Sequence, residues 1–311
     1  MKKFCIIAIL LASFAAAYAQ HPVNPFFDAK GVARVQTVEY SEAPDTIITT
    51  FHRMDDIIWS KTVYRIIDLR YKQNFQLYFP ANLSNPNYRS LFKVILDAVV
   101  DGMEIYPKSD RAGEIRPDFA NREPLTKDQI PNLLNTDKEG TGDDNIATST
   151  DMLINYDSIA DVMSCNPYKF EEFAKNQFKY IIQEMIFFDR RTSRFHLNIM
   201  AIAPLWADNM VYGSETAPMD ALYGQLLFWV PFDELRPYMA MQYAIPIQNE
   251  TKRVTFDEFF QKRLYSSYLL GEENMYDRMI PVYALSLEDI KKEQARIEDE
   301  MLTFEQDLWE Y

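Results

Sequence analysis

The stretch from Phe178 to Ala203 constrains the fold more than any other. The run to Phe188 is aromatic and β-branched, Asp189 to Ser193 is a polar turn, and the return strand alternates, predicting one shared face for Phe195, Leu197, Ile199, Ala201 and Ala203. Two long runs joined by so short a turn must pair antiparallel. Gln225 to Val230 is a further strand candidate ended by Pro231, Met239 to Ile245 a weaker one ended by Pro246, and Met103 to Tyr106 a short one. An antiparallel sheet follows.

Helical spacing predicts what covers it. Asp55 can cap a helix to Gln73 with a stripe of Trp59, Val63, Ile66 and Ile67. Ser90 to Asp101 reads as a second helix, with Leu91, Val94, Ile95 and Ala98 on one face and Gly102 to end it. Thr126 and Gln129 have capping-box spacing, although Pro131 keeps that helix short, and Asn166-Pro167 opens another. Thr255 to Glu258 is a capping box before a helix predicted through Leu269 and ended by Gly271. From Ser286 onward a long terminal helix carries Ile290, Ile297, Met301, Phe304 and Leu308, with Gln294 interrupting the seam. The expected class is α+β: an antiparallel sheet with flanking helices, an extended N-terminal arm and a long C-terminal helix.

The start of the chain has the form of a leader. Lys2 and Lys3 precede an apolar run from Phe4 to Ala17, and Ala17-Tyr18-Ala19 is a small-x-small cleavage site, so residues 1–19 read as a signal peptide. That run is too short for a spanning helix, and no later segment offers about 18 uninterrupted apolar residues, so the mature protein is expected to be soluble. Cys5 lies inside the run rather than at its end, where a lipid-attachment cysteine belongs. Residues 20–54 carry Pro22, Pro25 and Pro44 without sustained periodicity and are read as an extended arm. Residues 55–311 form the expected single domain, interrupted by a loop at 135–150 rich in Asp, Asn, Thr and Gly.

Charge and residue supply exclude several functions. The formal net charge is −14, and loss of Lys2 and Lys3 with the leader makes the mature chain more acidic still, which disfavours nucleic acid and anionic lipid surfaces. Eight glycines and three histidines leave little for phosphate-cradling loops or His-based metal sites, so no cofactor and no metal ligand is assigned. Cleavage leaves Cys165 as the one thiol; no internal disulfide can form, and none of His21, His52 and His196 is tied to it by local spacing.

The remaining motifs are weak. Ser90-Leu-Phe-Lys93 matches S-x-x-K, but no S-D-N or K-T-G triplet follows, so Ser90 reads as a helix start. Asn135, Asp137, Glu139 and Gly140 imitate a calcium loop whose twelfth position is Ile146 instead of glutamate. The adjacent carboxylates Asp55-Asp56, Asp143-Asp144 and Glu171-Glu172 establish no cleft. His196, alternating with the apolar face of its strand, reads as structural.

Several blocks taken together carry a family resemblance: Asp55-Asp-Ile-Ile-Trp-Ser60, Arg65-Ile-Ile-Asp-Leu-Arg70, Leu77-Tyr-Phe-Pro80, Phe187-Phe-Asp189, Ile202-Ala-Pro-Leu205, Arg253-Val-Thr-Phe-Asp-Glu-Phe-Phe260, Ser266-Ser-Tyr268 and Phe304-Glu-Gln-Asp-Leu-Trp-Glu-Tyr311. From about Asp55 to Tyr311 the chain resembles the GldN/PorN family, periplasmic ring components of the type IX secretion system that in many members also support gliding motility. The resemblance implies a non-enzymatic subunit, located in the periplasm and held at the outer membrane by a lipoprotein partner of the GldK/PorK type. It also implies self-association within the ring and contacts with other secretion components. It supplies no catalytic residues.

Residues for such contacts follow from the apolar termini. Phe26 and Phe27 on the arm, and Phe304, Leu308, Trp309 and Tyr311 at the helix end, are the expected partner-binding side chains. The competing readings are a calcium-responsive binding module using the acidic loop, and a periplasmic hydrolase using carboxylates or Ser90.

Overall fold

A computed structural model describes residues 52–80, 88–107, 115–117, 119, 123–134, 158–163, 178–206, 225–245, 254–276, 278–284 and 286–307. Residues 20–51 of the expected 20–54 arm, the loop at 135–150 and the helix at Asn166-Pro167 lie outside these residues.

Residues with branched and aromatic side chains build the centre of the sheet. β1 (Ile57–Asp68) pairs with β2 (Phe178–Asp189) from Ile57 opposite Asp189 to Asp68 opposite Lys179. β3 (Arg194–Trp206) returns along β2 and completes the expected hairpin. On the far side of β3 lie two short strands, β4 (Gln225–Leu226) and β5 (Val230–Pro231), and β6 (Tyr268–Glu272) borders β1. The order is β4–β3–β2–β1–β6 with β5 also on β3, and every pairing is antiparallel.

The helix expected from Asp55 to Gln73 is therefore a strand. Ile57, Ile58, Thr62, Val63, Ile66 and Ile67 are β-branched, Trp59 and Tyr64 aromatic, and such residues suit a pleated surface. The helix-like stripe arose because the sheet is covered on both faces, which puts apolar side chains on both sides of the strand and erases alternation. Lys61 pairs with Glu272 and Glu300, and Arg65 with Glu298, beneath the terminal helix.

A bulge overturns a second expectation. Gln183 faces Ala201 but Glu184 faces Ile199, so Met200 is extra in β3. Phe195, Leu197 and Ile199 lie on one face, whereas Ala201 and Ala203 lie on the other. Residues of equal parity change sides because one residue is inserted between them.

Eight helices are described. α1 (Phe75–Tyr78), α2 (Leu91–Val100), α3 (Ile130–Leu134) and α4 (Ile159–Met163) precede the hairpin, and α5 (Phe232–Ala240), α6 (Phe256–Gln261), α7 (Ile280–Tyr283) and α8 (Leu287–Asp307) follow it. α2 matches its expectation: the Ser90 side chain accepts from the Lys93 N–H, and Gly102 leaves the helix at φ 108°, where side chains are strained. The strand expected at Met239 to Ile245 is the end of α5, then a turn and a single bridge from Tyr243 to Thr255. Pro231 had marked a strand end, but it also starts α5, with Asp233 and Glu234 in the first turn.

Thr255 caps α6 by accepting from the Glu258 N–H, as expected, but the helix stops at Gln261. Arg263 then adopts φ 51° and the chain re-enters the sheet, so Leu269 and Gly271 belong to β6. Met103 to Tyr106 contributes bridges at Ile105 and Tyr106, not a strand.

One face of the sheet carries Ile67, Tyr180, Ile182 and Ile202 beneath α2, α5 and α6; farther along it, Val63 and Ile186 lie beneath α8. Tyr64, Ile66, Ile181 and Ala203 fill the opposite face with Trp229 and Leu270. Among the described residues no helix is long and apolar enough to cross a membrane.

Candidate functional site

The sequence-predicted contact residues divide sharply. Phe26, Phe27, Leu308, Trp309 and Tyr311 lie outside the described residues, while Phe304 sits in the last turn of α8. Its ring stacks on Trp59 with centroids 4.7 Å apart and meets Phe195 edge-on at 5.8 Å. Ile290, Ile297 and Met301 continue that line against Val63, Leu269 and Ile280. The interrupting Gln294 donates through its amide to the carbonyl of Leu269. The heptad-like seam thus seats α8 on the sheet of its own chain.

The same surface holds acids against basic residues on the sheet. Lys61 Nζ lies 3.3 Å from Glu300 and also pairs with Glu272, and Arg65 Nη1 lies 3.7 Å from Glu298. Deeper, the fully buried Glu184 carboxylate meets Arg263 at 2.8 Å and Arg65 at 3.3 Å, and accepts from the Tyr265 hydroxyl at 2.8 Å. Burial, reinforced by the Glu184 charge, pushes that hydroxyl well up, so Tyr265 remains a donor. The outer side of α8 exposes Glu288, Asp289, Asp299 and Glu305 beside Lys291 and Lys292, together with Leu287 and Leu302. It is an acidic, partly apolar surface.

Ser90 and Lys93 do not form a nucleophile pair. Ser90 Oγ accepts from the Lys93 backbone, whereas Lys93 Nζ lies 2.8 Å from Asp97. The serine is a helix cap.

At the hairpin end the fold assembles a group that the sequence left dispersed. His52 Nδ1 lies 2.8 Å from Asp189 Oδ2, and the His52 and His196 rings are 4.3 Å apart at their centroids. Phe187 stands edge-on to His52 at 4.9 Å and stacks on His196 at 5.6 Å. The Thr192 hydroxyl is 3.0 Å from His196 Nε2, while His52 Nε2 is buried without a hydrogen-bond partner. One donor atom from each of His52, Asp189 and His196 lies within 4.8 Å of the others.

The electrostatics of this group follow from its burial and neighbours. Burial works to raise the Asp189 carboxyl, but His52 and the backbone N–H groups of Arg191 and Thr192 outweigh it and hold the group below its ordinary value. Burial, then the neighbouring His52 and the Arg194 charge, press the His196 imidazole below its usual value against the pull of Asp189. The Asp189 carboxylate is thus favoured in its charged form and the His196 ring in its neutral form. The hairpin register, with Phe187 opposite His196 and Asp189 opposite Arg194, could have brought His196 and Asp189 together from sequence. His52 could not be placed without the β1–β2 pairing.

Among curated proteins, none matches this chain. A family model described as "Gliding motility associated protein GldN" matches residues 52–310, from the histidine that opens the described region to the penultimate residue. The matched span contains every strand of the sheet and every described helix. The chain therefore belongs to the GldN family of gliding motility associated proteins.

Proposed function

We propose that this protein is a non-enzymatic structural subunit of a periplasmic ring in the type IX protein secretion system. In this reading it assembles with an outer-membrane lipoprotein of the GldK/PorK type and serves protein export together with gliding motility. The observation that carries the proposal is the family match across residues 52–310, because it spans the whole sheet and its helices rather than a single motif. Physical features support it. The α8 seam is satisfied internally, which leaves its acidic outer side for partners. Ring contacts between identical subunits would be heterologous, since head-to-tail surfaces close into rings when their rotation permits.

Co-expression with the lipoprotein partner, followed by size measurement of the purified material, tests this reading. A large assembly containing both chains is expected, and removal of residues 20–50 weakens co-purification while the domain stays folded. A chain that remains monomeric beside a folded lipoprotein partner overturns the ring; unchanged co-purification of the deletion removes the arm from it.

A further inference from the structure

The group at the hairpin end combines features that a buried structural cluster does not require. Two imidazoles and a carboxylate have donor atoms within 4.8 Å of one another, close to the spacing of ligands around a single ion. Ligands at about 2.0–2.1 Å from a tetrahedral ion stand roughly 3.3 Å apart, so a pair at the 4.8 Å limit must close by about 1.5 Å. His196 is half-buried on the hairpin and can make that adjustment.

His52 is already prepared as a ligand. Its Nδ1 faces a buried carboxylate that fixes ring orientation and tautomer, and its Nε2 is buried and bare. A carboxylate behind an imidazole is the usual outer support of a metal-bound histidine, where it also raises ligand basicity. A buried nitrogen with no partner costs free energy unless something completes it.

We propose that His52, Asp189 and His196 form a site for a divalent transition ion of the zinc class. The two imidazoles supply nitrogen donors, and Asp189 orients His52 and supplies negative charge. Two imidazole nitrogens suit zinc and its neighbours rather than calcium or magnesium, which take oxygen ligands. Arg194 adds opposing positive charge, so affinity should lie in the micromolar range and not at that of closed four-ligand sites. His52 immediately precedes β1 and His196 lies on β3, so a bound ion would tie the entry of the chain into the sheet to the hairpin tip. The proposal does not depend on ring assembly.

Titration of the metal-stripped mature chain with zinc at neutral pH, followed by calorimetry, tests the site. One equivalent is expected to bind, with a loss of tenfold or more in affinity for each of His52→Ala and His196→Ala, and a smaller loss for Asp189→Asn. His21→Ala should bind as the parent does. Circular dichroism of each variant separates lost binding from lost folding, and cobalt substitution should give a visible spectrum that disappears in His196→Ala. Absence of zinc binding at about 100 μM, undiminished binding in folded His196→Ala, or loss in His21→Ala alone would overturn the site.

Discussion

Phe304 lies nearly parallel to Trp59, with ring centroids 4.7 Å apart and planes inclined by 28°, which joins the last turn of the terminal helix to the first half of β1. The two residues are 245 positions apart in a 311-residue chain. Phe304→Ala removes a half-buried aromatic and its stacking, so a cost of about 1–2 kcal/mol is expected, below that of a fully buried phenylalanine. Urea denaturation measures the total; hydrogen exchange should show the loss confined to α8. Equal destabilisation of Phe304→Ala in a Trp59→Ala background would mean that the stack contributes nothing.

Glu184 is the most deeply buried acid among the described residues, and three partners converge on it. Glu184→Ala leaves Arg65 and Arg263 short of their counter-charge and the Tyr265 hydroxyl without its acceptor, and should cost about 3–5 kcal/mol. Glu184→Gln keeps the shape and one acceptor, so a smaller loss is expected. A shift of the denaturation midpoint near zero for the alanine variant would show that the ions are satisfied by water instead.

Asp68 gives a pH signature. Burial works to raise its carboxyl, yet Arg70 donates from Nε at 3.0 Å and from Nη2 at 2.6 Å, and the Arg70 N–H at 3.0 Å, with Lys179 directly across the strand. The carboxyl is held below 3.8, so the folded state binds fewer protons than the unfolded chain near that pH. Its stabilisation is complete above pH 3.8 and is lost as pH falls through the folded value. Asp68→Asn should destabilise by about 1–2 kcal/mol at pH 7, the lower part of the charged-bond range because Arg70 is largely exposed. The gap between parent and variant should close in acid, and a gap independent of pH from 7 to 3 would exclude the carboxylate as its cause.

Gly271 is required by close approach. A Cβ there would stand 2.9 Å from Met279 Sδ and 3.2 Å from Met279 Cα. The sulfur can swing aside, but the backbone carbon must shift with the turn into α7. Gly271→Ala should cost about 1–3 kcal/mol as an overpacked site. Thermal unfolding checks it, and a Met279→Ala background should relieve only part of the loss.

Local chemistry made several elements legible. The Ser90 and Thr255 caps, the Gly102 stop and the hairpin around Asp189 follow from side chains acting on nearby backbone, so a short contiguous stretch suffices to specify each. β1 was misread because its apolar residues answer to two covering layers, and its charged residues to acids more than a hundred positions away. The exchange of faces at Met200 had no local sign either: a bulge is a property of the pair of strands, not of one.

The sequence by itself determined the α+β class, the terminal helix with its apolar seam, and the family blocks, because periodicity, caps and turn residues act within a few bonds. Only the tertiary structure decided that the seam seats on the chain's own sheet and that His52 meets His196. Both contacts pass through β1, whose strand state depends on neighbours contributed by distant parts of the chain.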